Sequence, residues 1–204
     1  MTPNEPRAWP NARPRKTGGM PDEQNRLSFL HHSHIFASVV HDILEMKFLE
    51  EVTPLALTHS QFRLLKVITL NGDHQIGEVA LFLGMSAPAA TKNLDKLARL
   101  GLIFRHPSKG DRRATLVSPC AKGRRLIQEY ESLKAGRLSP VLGKFRPSEI
   151  GQLVRLLERF SVLVVKQENS GAGPCLWCAA YCQPDCAVAG VRGGCPHGQQ
   201  RKSA

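Results

Sequence analysis

Residues 76–101, IGEVALFLGMSAPAATKNLDKLARLG, decide the fold. Ile76, Val79, Ala80 and Leu83 repeat at helical spacing, and Gly84 ends that run. Ser86 then offers a side-chain cap, and Pro88 sits in a first turn, where its missing N–H costs little. Ala90, Leu94 and Leu97, with Ala98 or Leu100, make one apolar stripe over 87–100, and Gly101 stops the helix. A short helix, a three-residue turn at Gly84-Met85-Ser86 and a capped second helix form a helix-turn-helix.

The flanks extend this unit. Upstream, Thr58 and Gln61 have capping-box spacing, followed by a helix over Ser60–Leu70 that Asn71-Gly72-Asp73 breaks. Downstream, the period changes from helical to strand-like at 102–105, passes through turn chemistry at 107–111, and is strand-like again at 114–117. That is a short hairpin, a wing. Ser118 and Pro119 are read as cap and first residue of a long helix, which Pro140 should kink or interrupt. Pro147 opens a last helix to about Gln167, and an earlier helix runs from about Arg26 to Glu51, closed by Pro54. The fold class is mainly α: a winged helix-turn-helix with long flanking helices and a wing of short strands. The domains read as a disordered N-terminal arm at 1–25, the winged-helix domain at 26–168 with its core at about 55–118, and a cysteine-rich tail at 169–204.

The charge is distributed as the fold would use it. Between Ser86 and Arg125 there are ten Lys or Arg against Asp95 and Asp111, which is +8 of the net +11. A basic concentration of this kind suits a polyanion, because each neutralised phosphate releases a condensed counterion. The apolar stripe leaves Ala87, Pro88, Ala89, Thr91, Lys92 and Lys96 on or near the opposite face. Small first-turn residues let a helix approach base edges and thymine methyls in a major groove. Ser86 and Thr91 can hydrogen-bond bases or phosphates, and Lys92 and Lys96 suit phosphates. The hairpin tip carries Lys109, Arg112 and Arg113. Arginines on a wing suit an adjacent minor groove, and Asp111 is read as holding them in position. The expected partner is double-stranded DNA. The other reading of such a module is a metal- or redox-binding protein whose winged helix serves protein contacts.

The stretch Leu57–Leu126 resembles the MarR family of bacterial regulators. The resemblance is carried by Leu57-Thr58-His-Ser-Gln61-Phe62-Arg63-Leu64-Leu65, Glu78-Val79-Ala80 and Leu83-Gly84-Met85-Ser86. Leu94-Asp95-Lys96-Leu97-Ala98-Arg99-Leu100-Gly101-Leu102-Ile103, the wing signature Asp111-Arg112-Arg113 and Cys120-Ala121-Lys122-Gly123-Arg124 complete it. It extends over about residues 27–168. It implies a homodimer in which the first and last two helices interlock, and a pseudo-palindromic duplex site. It also implies repression that a small-molecule effector or an oxidant relieves. Pro88, Pro140 and the cysteine tail depart from the family pattern.

The tail holds Cys175, Cys178, Cys182, Cys186 and Cys195, with two, three, three and eight residues between them. Clustered thiolates suit soft metals. Four cysteines within twelve residues lean toward an iron–sulfur cluster. Zinc, reversible thiol oxidation and no ligand at all are the other readings. His31, His32, His34 and His41 crowd the first helix and are read as packing or surface residues, and Cys120 as a small buried or half-buried residue, with a sensor thiol as the lesser reading. No spacing suggests a catalytic triad, and no Gly-rich phosphate loop is present, so an enzyme is not expected. No run reaches the roughly 18–20 apolar residues of a membrane span, and the N-terminus lacks a secretion signal's apolar core. A soluble cytoplasmic protein is expected.

Overall fold

A computed structural model describes residues 22–71, 73–108 and 115–167. Helix α1 spans Glu23–Ser38, a π-helical stretch continues through Val39–Lys47, and α2 follows at Phe48–Val52. Next come α3 (His59–Asn71), β1 (His74–Gln75), α4 (Ile76–Leu83), α5 (Ala87–Arg99), β2 (Ile103–Pro107) and β3 (Thr115–Pro119). Two long helices close the order, α6 (Ala121–Leu142) and α7 (Pro147–Gln167).

The chain divides into two units at Val40/His41. In the first, Asp22 caps α1 by accepting from the Asn25 N–H at 2.8 Å. None of the α1 side chains is buried, and Leu27, Phe29, Leu30, Ile35 and Phe36 stand exposed.

The second unit is built around α3. Phe62, Leu64, Leu65, Val67 and Ile68 are all buried, so this helix is enclosed on nearly every side. Its start is the expected capping box: the Gln61 N–H donates to Thr58 Oγ1 at 3.3 Å, and Gln61 Oε1 accepts from the Thr58 N–H at 3.1 Å. Val79 and Leu83 of α4, Leu94 and Leu97 of α5, Leu102, Ile103, Val117, and Leu126, Ile127 and Tyr130 of α6 complete one core. Each such side chain contributes about 1.5–3 kcal/mol through burial. The Phe62 and Tyr130 rings meet edge to face with centroids 4.7 Å apart. The Tyr130 hydroxyl, buried at the core's edge, donates to the Leu44 carbonyl of the π-helical stretch at 2.7 Å.

The sheet is one strand larger than the hairpin read from sequence. Its order is β1-β3-β2, both pairs antiparallel, with His74 opposite Val117 and Arg105 opposite Val117 from the other side. Two residues of β1 carry no alternating pattern, so only tertiary pairing makes them a strand. Ser118 and Pro119 correct a second expectation. They end β3 instead of starting α6, and the N-cap is Cys120, whose side chain makes no capping bond. The Ser118 hydroxyl is committed elsewhere: it donates to Asp73 Oδ1 at 2.5 Å and accepts from His106 Nε2 at 2.6 Å. This trio resembles a catalytic triad in composition only. The serine proton lies on the carboxylate side, not on the imidazole, and Ser118 is buried. Its effect is to tie all three strands' ends together. Pro140 does not interrupt α6, which runs through it to Leu142; the ring gives up the one N–H that would donate to the Gly136 carbonyl. Glu149 then caps α7, accepting from the Arg146 N–H at 2.8 Å.

His74 is buried, and desolvation holds its imidazole pKa below the ordinary value against the opposing pull of Glu78 and Asp73. The folded protein therefore resists a proton that the unfolded chain accepts. Stability falls as pH drops through and below the usual histidine range, by at most ~1.4 kcal/mol per pH unit for one proton. Thermal melts between neutral and mildly acidic pH should show this loss, and His74→Gln should flatten it.

Candidate nucleic-acid interface

Two glycine-terminated helix ends aim the second helix of the pair. After α4, Gly84 adopts φ 63° and the Met85 N–H donates back to the Ala80 carbonyl at 3.0 Å. After α5, Gly101 adopts φ 69°, its N–H donates to Ala98 and the Leu102 N–H to Leu97. Both close Schellman motifs, a backbone turn that residues with a Cβ adopt reluctantly. Ser86 caps α5 as expected, accepting from the Ala89 N–H at 3.4 Å.

Ala90, Leu94 and Leu97 of α5 are fully buried, and this turns the opposite face outward. Ser86, Ala87, Pro88, Ala89, Thr91, Lys92 and Lys96 are all exposed. The surface they form is an N-terminal turn of small side chains followed by two lysines. Such a helix end carries a partial positive charge, with nothing bulky to hold a ligand away.

Polar contacts from three neighbouring elements fix α5 in place. From α3, Gln61 Nε2 donates to Asn93 Oδ1 at 3.3 Å. From β2, the Arg105 guanidinium pairs with Asp95 Oδ1 at 2.9 Å and reaches the Thr91 carbonyl at 3.5 Å. From α6, Lys122 Nζ donates to the Leu100 carbonyl at 3.0 Å. Arg105 and Lys122 belong to the basic run, yet each spends a donor on α5 itself. The sequence marked neither as a partner of that helix. Separations of ten and 22 residues across helix ends and turns give no periodic signal.

Lys109, Arg112 and Arg113 of the wing tip lie outside the described residues, as does Asp111. So do Cys175, Cys178, Cys182, Cys186 and Cys195. Among the described residues no group of three histidine, cysteine or carboxylate side chains is placed to hold a metal ion. His31, His32 and His34 are exposed, while His41 pairs with Asp42 at 2.6 Å and meets the His59 ring edge-on. Cys120 is half-buried, as expected, with a free thiol. No helix among the described residues is long and apolar enough to cross a membrane.

Residues 57–114 match the model of the MarR family. The match takes in α3, α4, α5 and β2, the exposed face and two of the three elements that hold it. A Bacillus subtilis protein described as an uncharacterized HTH-type transcriptional regulator, YdgG, is 24% identical over 112 residues, 54% of this chain and 72% of that one. Among solved structures, RV1404 from Mycobacterium tuberculosis superposes with a TM-score of 0.57 at 23% identity, over 66% of this chain and 91% of that chain. FabT of Streptococcus pneumoniae, solved in complex with DNA, gives a TM-score of 0.59 at 17% identity, over 69% and 99%. The fold is the winged helix of MarR-family structures: mainly helical, with a small three-stranded antiparallel sheet.

Proposed function

We propose that this protein is a DNA-binding transcription regulator. It acts as a homodimer on a pseudo-palindromic duplex site and represses until a ligand or redox signal intervenes. The observation that carries the reading is the exposed first turn of α5, Ser86–Ala89, held outward by a buried stripe and backed by Lys92 and Lys96. That turn approaches base edges in the major groove, and the two lysines contact phosphates. Lys109, Arg112 and Arg113 reach an adjacent minor groove. The family match supports this assignment. A regulator of this kind carries no catalytic chemistry.

The homodimer is supported by what the long helices leave uncovered. Leu153, Leu156, Leu157, Leu163 and Val164 lie along one side of α7 and stand exposed, as do Val141, Leu142 and Phe145 at the end of α6. An apolar stripe of that length along α7 calls for a partner. The same face on a second copy is self-complementary, which is the requirement of a twofold dimer. The signal is assigned to the cysteine tail, as an iron–sulfur cluster, with zinc as the alternative metal. Iron, sulfide and zinc analysis of anaerobically purified protein decides between them, and metal-free protein would remove both.

The reading is tested by titrating duplex DNA at several salt concentrations. Binding should weaken steeply with salt, with a slope of about −0.9 per phosphate neutralised. Replacing both Arg112 and Arg113 by alanine should lower affinity about 30-fold and make the slope shallower by about two contacts. Salt-independent binding, or no binding to any duplex, would leave the module to protein contacts.

A further inference from the structure

The start of α6 grips the chain leaving α5 through three features. Lys122 Nζ donates to the carbonyl of Leu100, the residue that caps α5. The Cys120 N–H donates to the Leu102 carbonyl at 2.9 Å. Gly123 is buried so closely on that same carbonyl that a Cβ would lie 2.2 Å from its oxygen and 3.3 Å from Leu65 Cδ1. Leu102 is itself fully buried and Gly101 holds a left-handed turn, so this end of α5 has little room to move independently of α6.

Helix α6 is 22 residues long, which is about 33 Å. Its far end carries Val141 and Leu142 on the uncovered apolar surface. Its near end holds the carbonyl of Leu100, the C-cap of the helix that faces DNA, and that of Leu102 just beyond it. A tilt of α6 set at the far end is thus delivered to α5 at residues 100–102.

We propose that Lys122 is a positioning residue for α5, locking the DNA-facing helix to α6, and not a phosphate contact. This rests on the DNA-binding reading above. An ammonium on a helix's terminal carbonyl also sits where the helix dipole is negative, so this position suits a lysine that never touches DNA.

Two measurements on Lys122→Met test it. On free protein, amide hydrogen exchange across residues 98–102 should quicken about fivefold, the loss of one hydrogen bond, with α4 unchanged. On DNA, affinity for a duplex selected by the wild-type protein should fall about fivefold, while affinity for an unrelated duplex stays within twofold and the salt slope is kept. Lys122→Arg, which retains a donor, should restore both. Equal losses on the two duplexes with a slope shallower by about one contact would make Lys122 a phosphate ligand and overturn the proposal. Unchanged exchange at 98–102 would overturn it as well. If the wild type binds no duplex, the regulator reading fails, and the exchange result alone still decides whether the joint exists.

Discussion

Ala89→Glu is expected to abolish duplex binding, by at least ~100-fold, without weakening the fold. Ala89 is exposed on the first turn of α5, and its N–H is held by the Ser86 cap. A glutamate there adds bulk where base edges must approach and a negative charge beside phosphates, a like-charge contact that costs several kcal/mol. The same charge lies at a helix N-terminus, where it stabilises by about 0.3–1 kcal/mol. Binding and stability therefore move in opposite directions, which a general folding defect cannot imitate. Melting temperature and duplex affinity, measured on the same sample, check both signs. Retained binding would show that this turn does not meet the DNA.

Gly123→Ala is the counterpart: a large loss of stability from one methyl group. The added Cβ would meet the Leu102 carbonyl oxygen at 2.2 Å, a backbone atom that cannot rotate away. The Cys120 N–H already binds that oxygen, so relief requires breaking a bond or shifting α6. Overpacking against backbone in this way costs about 3 kcal/mol, or about 10 °C in melting temperature. Gly136→Ala, in the same helix with nothing within 4 Å of its Cβ, is the control and should be neutral or slightly stabilising. Equal melting temperatures for the two variants would mean that the joint between α5 and α6 is not close-packed.

Much of this architecture was legible because its signals are local. Thr58 with Gln61, Ser86, Gly84 and Gly101 each act within six residues, and the structure uses every one where the spacing placed it. The buried stripe of α5 is equally local, so the exposed face could be read as its complement. What escaped depends on distant partners. Ser118 looked like a helix cap, but its hydroxyl is claimed by Asp73, 45 residues earlier, and by His106. Strand β1 exists only through β3, and the π-helical stretch at 39–47 follows an apolar pattern that an α-helix would also satisfy. Arg105 and Lys122 belong to a basic run in sequence, but in the fold Asp95 and the Leu100 carbonyl stand beside them. Charge summed along a sequence overstates what is available to DNA, because the fold uses some of those donors itself.

Selection of bound duplexes from a random pool is the most direct test of the whole account. Two copies joined along their α7 faces should enrich an inverted repeat with half-sites about one helical turn apart, and the Ala89→Glu protein should enrich nothing. Enrichment of a single unrepeated site, or none with wild-type protein, would contradict it.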